Sequence, residues 1–281
     1  MQIRPLRVQD LDFACALSEA EGWNQTERDW KFLLSGKNNV CLIADEGGRL
    51  VGTATALFHP PGLAWIGMVL VDRQMRGQGI GRMLMSEIIK RLDHCKSLKL
   101  DATPAGLSLY RKLGFKDEFT IYRMTNSSLH ENQGSSLDFA LRIDKNNIIN
   151  VLQSDKRIFG SDRSILLNYL MENEPRRAYV VLDADNAGGY IFGRTGLRYS
   201  YIGPACGISL HHVIKLIAGV LESHPGGPIA MDVLQDKGEL IKWLEHQGFE
   251  IQRPFTRMYL KSNCYSGEPG FQYLISGPEF G

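Results

Sequence analysis

Short apolar runs and apolar residues at helical spacing take turns along the chain. Ile3-Arg4-Pro5-Leu6 predicts a first strand, and after Asp10 the residues Leu11, Ala14, Cys15 and Ser18 form the small or apolar stripe of a helix. Glu27 to Leu34 predicts a second helix, closing at Gly36. Val40 to Asp45 and Leu50 to Phe58 are rich in β-formers. Glu46-Gly47-Gly48-Arg49 between them predicts a hairpin, because glycine reaches the positive φ of tight turns without strain. Trp65 to Val71 is almost wholly apolar, as expected of a strand covered on both faces. A helix follows with apolar residues at 80, 84, 88 and 92. Then come a strand over Leu98 to Ala102, a helix through Tyr110 that stops at Gly114, and a strand over Phe119 to Met124.

Residues 126–136 are polar and turn-rich, which predicts a linker. Beyond it the same signals return. Gly114-Phe115 and Arg123-Met124 recur as Gly248-Phe249 and Arg257-Met258 at one constant offset, and Leu100-Asp101-Ala102 resembles Met231-Asp232-Val233. Matched residues in matched surroundings predict a duplicated α/β domain with a mixed sheet. The expected boundaries are 1–125 for the first copy, 126–136 for the linker and 137–281 for the second copy. Phe271, Tyr273 and Ile275 alternate like a strand, expected to pair across the domains and hold Glu279 near the cleft between them.

Composition narrows the function classes. Of 281 residues 43% are hydrophobic and 22% charged, which excludes a disordered or coiled-coil chain. Lys and Arg number 32 against 31 Asp and Glu, so nothing marks a nucleic-acid or anionic-membrane partner. No apolar run approaches the ~20 residues of a bilayer span, and the opening residues hold no signal-peptide core, so a cytoplasmic protein is expected, a monomer or homodimer. The five cysteines at 15, 41, 95, 206 and 264 form no C-x-x-C and are expected to be reduced thiols. No metal is expected: His211 and His212 point apart on a helix, with no H-x-x-x-H spacing.

The chemistry concentrates where the apolar strand runs into Arg76-Gly77-Gln78-Gly79-Ile80-Gly81 and then a helix. Glycines let backbone approach a ligand. Free N–H groups at a helix start, with the helix dipole behind them, suit a pyrophosphate, and Arg76 adds a charged fork. A dinucleotide loop would need glycine where Arg82 stands, and no P-loop Gly-Lys-Ser/Thr is present.

These residues resemble the GNAT N-acetyltransferase superfamily. Its pyrophosphate loop, Arg/Gln-x-x-Gly-x-Gly/Ala, is matched by Arg76, Gly79 and Gly81, and its aromatic helix with a Gly-Phe turn by Leu109 to Phe115. Trp23-Asn24-Gln25 and the ending Gly277 to Gly281 resemble a two-domain bacterial subgroup. The resemblance implies two tandem GNAT-like domains, the second degenerate, and acetyl transfer from acetyl-CoA to the amine of a small molecule. It implies cofactor contacts from Val69, Leu70, Val71, Arg76, Gly77, Gln78, Gly79, Ile80, Gly81, Arg82 and Thr103. Thr103 stands where many members carry Asn. The strand around Val69 to Val71 would offer an N–H to the oxyanion, and Tyr110 would protonate the departing thiolate. Trp23 and Asn24 are expected to wall the acceptor site, and Glu19, Glu21, His59 and Asp72 are open candidates for the base. In the second copy Leu244 replaces Tyr110, and Gly207, Leu210 and His212 replace Arg76, Gly79 and Gly81, so one acyl-CoA per chain is expected. The alternatives are a non-catalytic acyl-CoA sensor and an acetyltransferase for protein amines.

Overall fold

Each half runs through the same succession of elements in the structure, a computed structural model that describes residues 1–129, 140–183 and 186–281. The first comprises β1 (Gln2–Pro5), α1 (Leu11–Ala20), α2 (Glu27–Ser35), β2 (Val40–Glu46), β3 (Arg49–His59), β4 (Leu63–Val71), α3 (Ile80–Arg91), β5 (Ser97–Ala102), α4 (Leu107–Lys112) and β6 (Lys116–Leu129). The second comprises β7 (Leu141–Arg142), α5 (Ile148–Phe159), α6 (Ser164–Asn173), β8 (Tyr179–Asp183), β9 (Asn186–Thr195), β10 (Ser200–Gly207), α7 (Leu210–Glu222), β11 (Gly227–Leu234), α8 (Gly238–His246) and β12 (Glu250–Lys261), with an extra strand β13 (Gln272–Leu274). Local chemistry sets the boundaries. Thr26 accepts from the Asp29 amide and Asp29 answers on the Thr26 amide, the reciprocal cap that starts α2.

The strands form one sheet in the order β1-β2-β3-β4-β5-β12-β6-β11-β13-β10-β9-β8-β7. The two halves therefore exchange their last long strands. β12, from the second half, lies antiparallel against β5, and β6, from the first half, lies against β11. β12 and β6 also pair with each other. The repeated residues sit at the exchange. Arg257 stands opposite Asp101 and Met258 opposite Leu100, while Arg123 stands opposite Asp232 and Met124 opposite Met231.

Each arginine is buried and forks onto the aspartate of the other half. Arg257 Nε and Nη2 donate to the Asp101 carboxylate, both at 2.9 Å. Arg123 donates to Asp232 at 2.8 and 2.7 Å. The Tyr201 hydroxyl adds a bond to Asp232 at 3.0 Å. Burial opposes the charge on Arg123, but Asp232 more than offsets it and holds its pKa above the ordinary value. Burial pushes the Asp101 carboxyl up, and Arg257 opposes that shift.

This topology corrects the expected boundaries. The predicted linker begins inside β6, which runs to Leu129, and its residues 130–136 lie outside the described residues. A chain ended after residue 125 would lack β12 and leave the β5 edge unpaired, so 1–125 is not a self-contained unit. The tail strand also pairs differently. β13 lies between β10 and β11 of its own half rather than across the domains. One core does span both halves, bringing Trp30 and Trp65 together with Phe159, Phe192 and Phe280.

Replacing Arg257 by Met should leave the Asp101 carboxylate buried and unpaired, lowering the unfolding free energy in urea by about 3–5 kcal/mol. The double variant Asp101→Leu/Arg257→Met should recover most of that loss. A single variant as stable as the wild type would remove the pair from its structural role.

Candidate active site

The site begins where two parallel strands part. β4 pairs with β5 only from Leu63↔Ser97 to Trp65↔Lys99. Just beyond, Met68 adopts φ 51°, a left-handed conformation uncommon for a side-chain-bearing residue. It forms a bulge against β3, where the register slips between Thr53 and Thr55. The two threonines hold the bulge, Thr53 donating to the Met68 carbonyl at 2.8 Å and Thr55 to that of Gly67 at 3.1 Å. β4 and β5 diverge past this point, and a cavity of about 520 Å³ opens between them.

At one end of the cavity is the start of α3. Its N-cap is Gly79 at φ 80°, preceded by Gly77 at the same φ, and no side chain caps the first-turn amides. A β-carbon at either glycine would meet nothing within 4 Å, so both face open space. The matching helix α7 is closed, since Ser209 accepts from the His212 amide. Uncapped amides with the helix dipole behind them form an anion cradle.

Val69, Leu70, Val71, Arg76, Gly77, Gly79, Ile80, Gly81, Arg82, Thr103, Tyr110 and Trp23 all line the cavity. Gln78 does not; its amide turns back toward the Met75 sulfur. Arg76 is engaged within the protein, with Glu21 at 2.7 Å and the Val71 carbonyl at 3.2 Å. Burial acts to raise the Glu21 carboxyl, but Arg76 and Arg73 together hold it below the ordinary carboxylate range.

Tyr110 is buried on α4, its ring edge-on to Phe115 at 6.0 Å. A β-carbon at Gly106 would stand 2.6 Å from that ring, so glycine there lets the tyrosine lie close to the backbone. Burial pushes its hydroxyl up to about 12.

Asn24 is not part of the cavity wall. It is buried, accepting from the amides of Arg198 and Tyr199, both at 2.9 Å, and donating to the Tyr199 carbonyl at 3.1 Å. It clamps a loop of the second half instead. Both of its neighbours, Trp23 and Gln25, line the cavity, and of these Gln25 had no site role expected of it.

The far wall comes from the strand exchange and the tail: Arg123, Arg253, Phe255, Pro278 and Glu279. Gly67 lets the tail lie flat on β4, since a β-carbon there would be 2.8 Å from the Glu279 Cα, and Trp65 Nε1 donates to the Pro278 carbonyl at 3.0 Å. Glu279 is buried and bonded to Arg194, which also pairs with Asp29 at 2.8 Å. Of the candidate bases, only Glu21 lines the cavity. His59 is buried against Phe159, and burial together with Arg163 pushes it down to about 3. Asp72 caps the Gln74 amide at 2.9 Å.

The second half has an equivalent split, differently used. β10 and β11 pair from Ser200↔Ile229 to Ile202↔Met231 and then part at Gly203 and Pro204. β13 fills the gap, with Leu274 opposite both Ala205 and Val233. Leu244 occupies the place of Tyr110: the Phe249 amide bonds its carbonyl as the Phe115 amide bonds that of Tyr110, each at 3.0 Å. Among the described residues no group of side chains could hold a metal, all five cysteines are free, and no helix is long and apolar enough to cross a membrane.

Comparison with known proteins gives the same division. The Acetyltransferase (GNAT) family matches residues 7–115, and an Acetyltransferase (GNAT) domain matches residues 151–273. YitH of Bacillus subtilis, an uncharacterised N-acetyltransferase, is 26% identical over 196 residues, 66% of each chain. Glucosamine 6-phosphate N-acetyltransferase of Trypanosoma brucei brucei is 34% identical over 77 residues, 25% of this chain and 52% of its own length. The chain thus spans between about half and two thirds of these relatives. A solved structure from Pyrococcus horikoshii, assigned as an acetyltransferase, superposes with TM-score 0.82 at 20% identity, covering 100% of this chain and 95% of that one. A tandem GNAT protein from the clavulanic acid biosynthesis pathway gives 0.64 at 13% identity, covering 92% and 98%. At these identities the likeness is one of fold.

Asn24→Ala should take the partner from the amides of Arg198 and Tyr199 and destabilise the protein by about 1–3 kcal/mol in denaturant unfolding. Little change in stability would show that the clamp on residues 197–199 is not needed.

Proposed function

This chain belongs to the GNAT acetyltransferase family, with one family domain in each half, and we propose that its first half transfers an acetyl group from acetyl-CoA to the amine of a small molecule. The observation that carries the reading is the uncapped start of α3, which opens through Gly77 and Gly79 on a cavity that reaches Tyr110. The fit to a pyrophosphate is chemical: free amides, two glycines facing open space, and the guanidinium of Arg76 beside them.

Acetyl-CoA supplies an activated thioester whose carbonyl an amine attacks. The protein has three tasks. Backbone amides of β4 beyond the Met68 bulge stabilise the oxyanion as the C–N bond forms. Tyr110 gives its proton to the sulfur as the C–S bond breaks. The amine's surplus proton leaves to solvent or to a carboxylate in the cavity. With its pKa raised, Tyr110 keeps its proton throughout the neutral range and stays a competent acid.

Two features favour a small acceptor over a protein amine. Phe255, Pro278 and Glu279 from the second half line the cavity's far wall, which narrows the room beside the thioester to the scale of a small molecule. One relative acts, by its name, on glucosamine 6-phosphate, itself a small amine.

Tyr110→Phe should lower kcat by ~10²-fold or more while acetyl-CoA affinity stays within about twofold. Since the Tyr110 hydroxyl titrates only near 12, kcat of the wild type should show no alkaline loss from this group below a pH of about 10. Gly79→Asp should abolish acetyl-CoA binding in calorimetry, because it forces a side chain into the positive-φ region and a negative charge into the cradle. Undiminished turnover in Tyr110→Phe would favour another acid, and no turnover in the wild type with any amine would favour a sensor.

A further inference from the structure

Charges on the far wall of the cavity are unevenly matched. Arg123 is answered by Asp232, and Arg257 by Asp101. Arg253 forms no ion pair among the described residues, and its Nε is buried without a hydrogen-bond partner. It stands in register opposite Arg123 on the neighbouring strand, and its guanidinium lies 5.2 Å from the centre of the Phe255 ring. Burial and the nearby Arg123 work against its charge, and Asp232 and Tyr199, neither of them bonded to it, offset this only in part. A partly desolvated cation on a cavity wall, without an acid of its own, is a site for an oxyanion.

The opposite imbalance lies alongside. Arg194 is faced by two carboxylates, Asp29 and Glu279, which leaves one negative charge in excess. Gln25 Oε1 and Glu279 Oε2 are both buried without a hydrogen-bond partner. Gln25, Glu279 and Arg253 line the same cavity. The two regions meet around Tyr201, whose ring centre is 5.9 Å from the Arg123 guanidinium and 5.1 Å from that of Arg194.

We infer that the acceptor is an amine that carries its own oxyanion, a carboxylate or a phosphate ester, which docks on Arg253 while the amine lies toward Gln25 and Glu279. This rests on the acetyltransferase reading and sets its substrate class. A polyamine would bring cations to Arg253 and Arg123 and is selected against. Arg253 is thus a binding and specificity residue, outside the acetyl-transfer chemistry itself.

Initial rates of thiol release at saturating acetyl-CoA test this with matched pairs: free amino acids against their carboxamides, and glucosamine 6-phosphate against glucosamine. The anionic member of one series should be preferred by ~10²-fold in kcat/KM. A preference among the amino acids identifies a carboxylate, and a preference for the sugar phosphate identifies a phosphate. Arg253→Gln should raise KM for that anionic acceptor by ~10²-fold, leave kcat and the neutral partner unchanged, and keep acetyl-CoA affinity; Arg253→Lys should recover part of the loss. A wild type that binds acetyl-CoA in calorimetry but shows no preference for an anionic member, or prefers polyamines, overturns the inference and leaves the acetyltransferase reading standing. Equal losses on anionic and neutral acceptors in Arg253→Gln overturn it as well. Absence of acetyl-CoA binding overturns both.

Discussion

Two buried arginines, each crossing to the aspartate of the other half, fix the positions on which the rest of this structure depends. Arg257 binds Asp101 and Arg123 binds Asp232, through two hydrogen bonds apiece. A buried charge without its partner is costly, so one long strand cannot return to its own half alone without stranding a carboxylate. The exchange joins the two halves in one sheet and sets β12 beside β5. Through that placement Arg253 and Phe255 reach a cavity built mainly by the first half. The duplication supplies a wall to the site as well as a second domain.

The halves share a frame and differ in what occupies it. Both have parallel strands that part after three paired positions, and both lay the chain's tail across the split at a glycine. Gly67 admits Glu279, whereas Gly203 sits against the Ile275 carbonyl. In the second half the tail enters the split as β13 and closes it; in the first it passes along β4 and leaves the split open. The helix starts follow the same division, with Ser209 capping α7 and Gly79 leaving α3 uncapped. One peptide thus shuts one cleft and finishes the other.

Much of this was legible in the residue pattern, because it is local. The strands and helices followed from apolar spacing, and the anion cradle from glycines between a buried strand and a helix. The repeat identified Arg123, Arg257, Asp101 and Asp232 as equivalent positions. It could not say which arginine meets which aspartate, since pairing within a half and pairing between halves leave the same letters in the sequence. Asn24 and Gln25 show the limit at the scale of one turn. Adjacent residues in a loop point to different sides, and only the fold reveals that the first clamps residues 197–199 while the second faces the cavity. Arg253 carried no motif at all; its unpaired charge becomes apparent only once Arg123, Arg194 and Arg257 around the cavity have been matched to their acids.

The central claim is that one cleft is open to a ligand and the other is filled by the chain's own tail. Isothermal titration of the intact protein with acetyl-CoA measures this most directly. A stoichiometry near one per chain is predicted, with the α3 cradle as the single site. A stoichiometry near two would contradict the account, because the second cleft could then accept a ligand only if β13 left it.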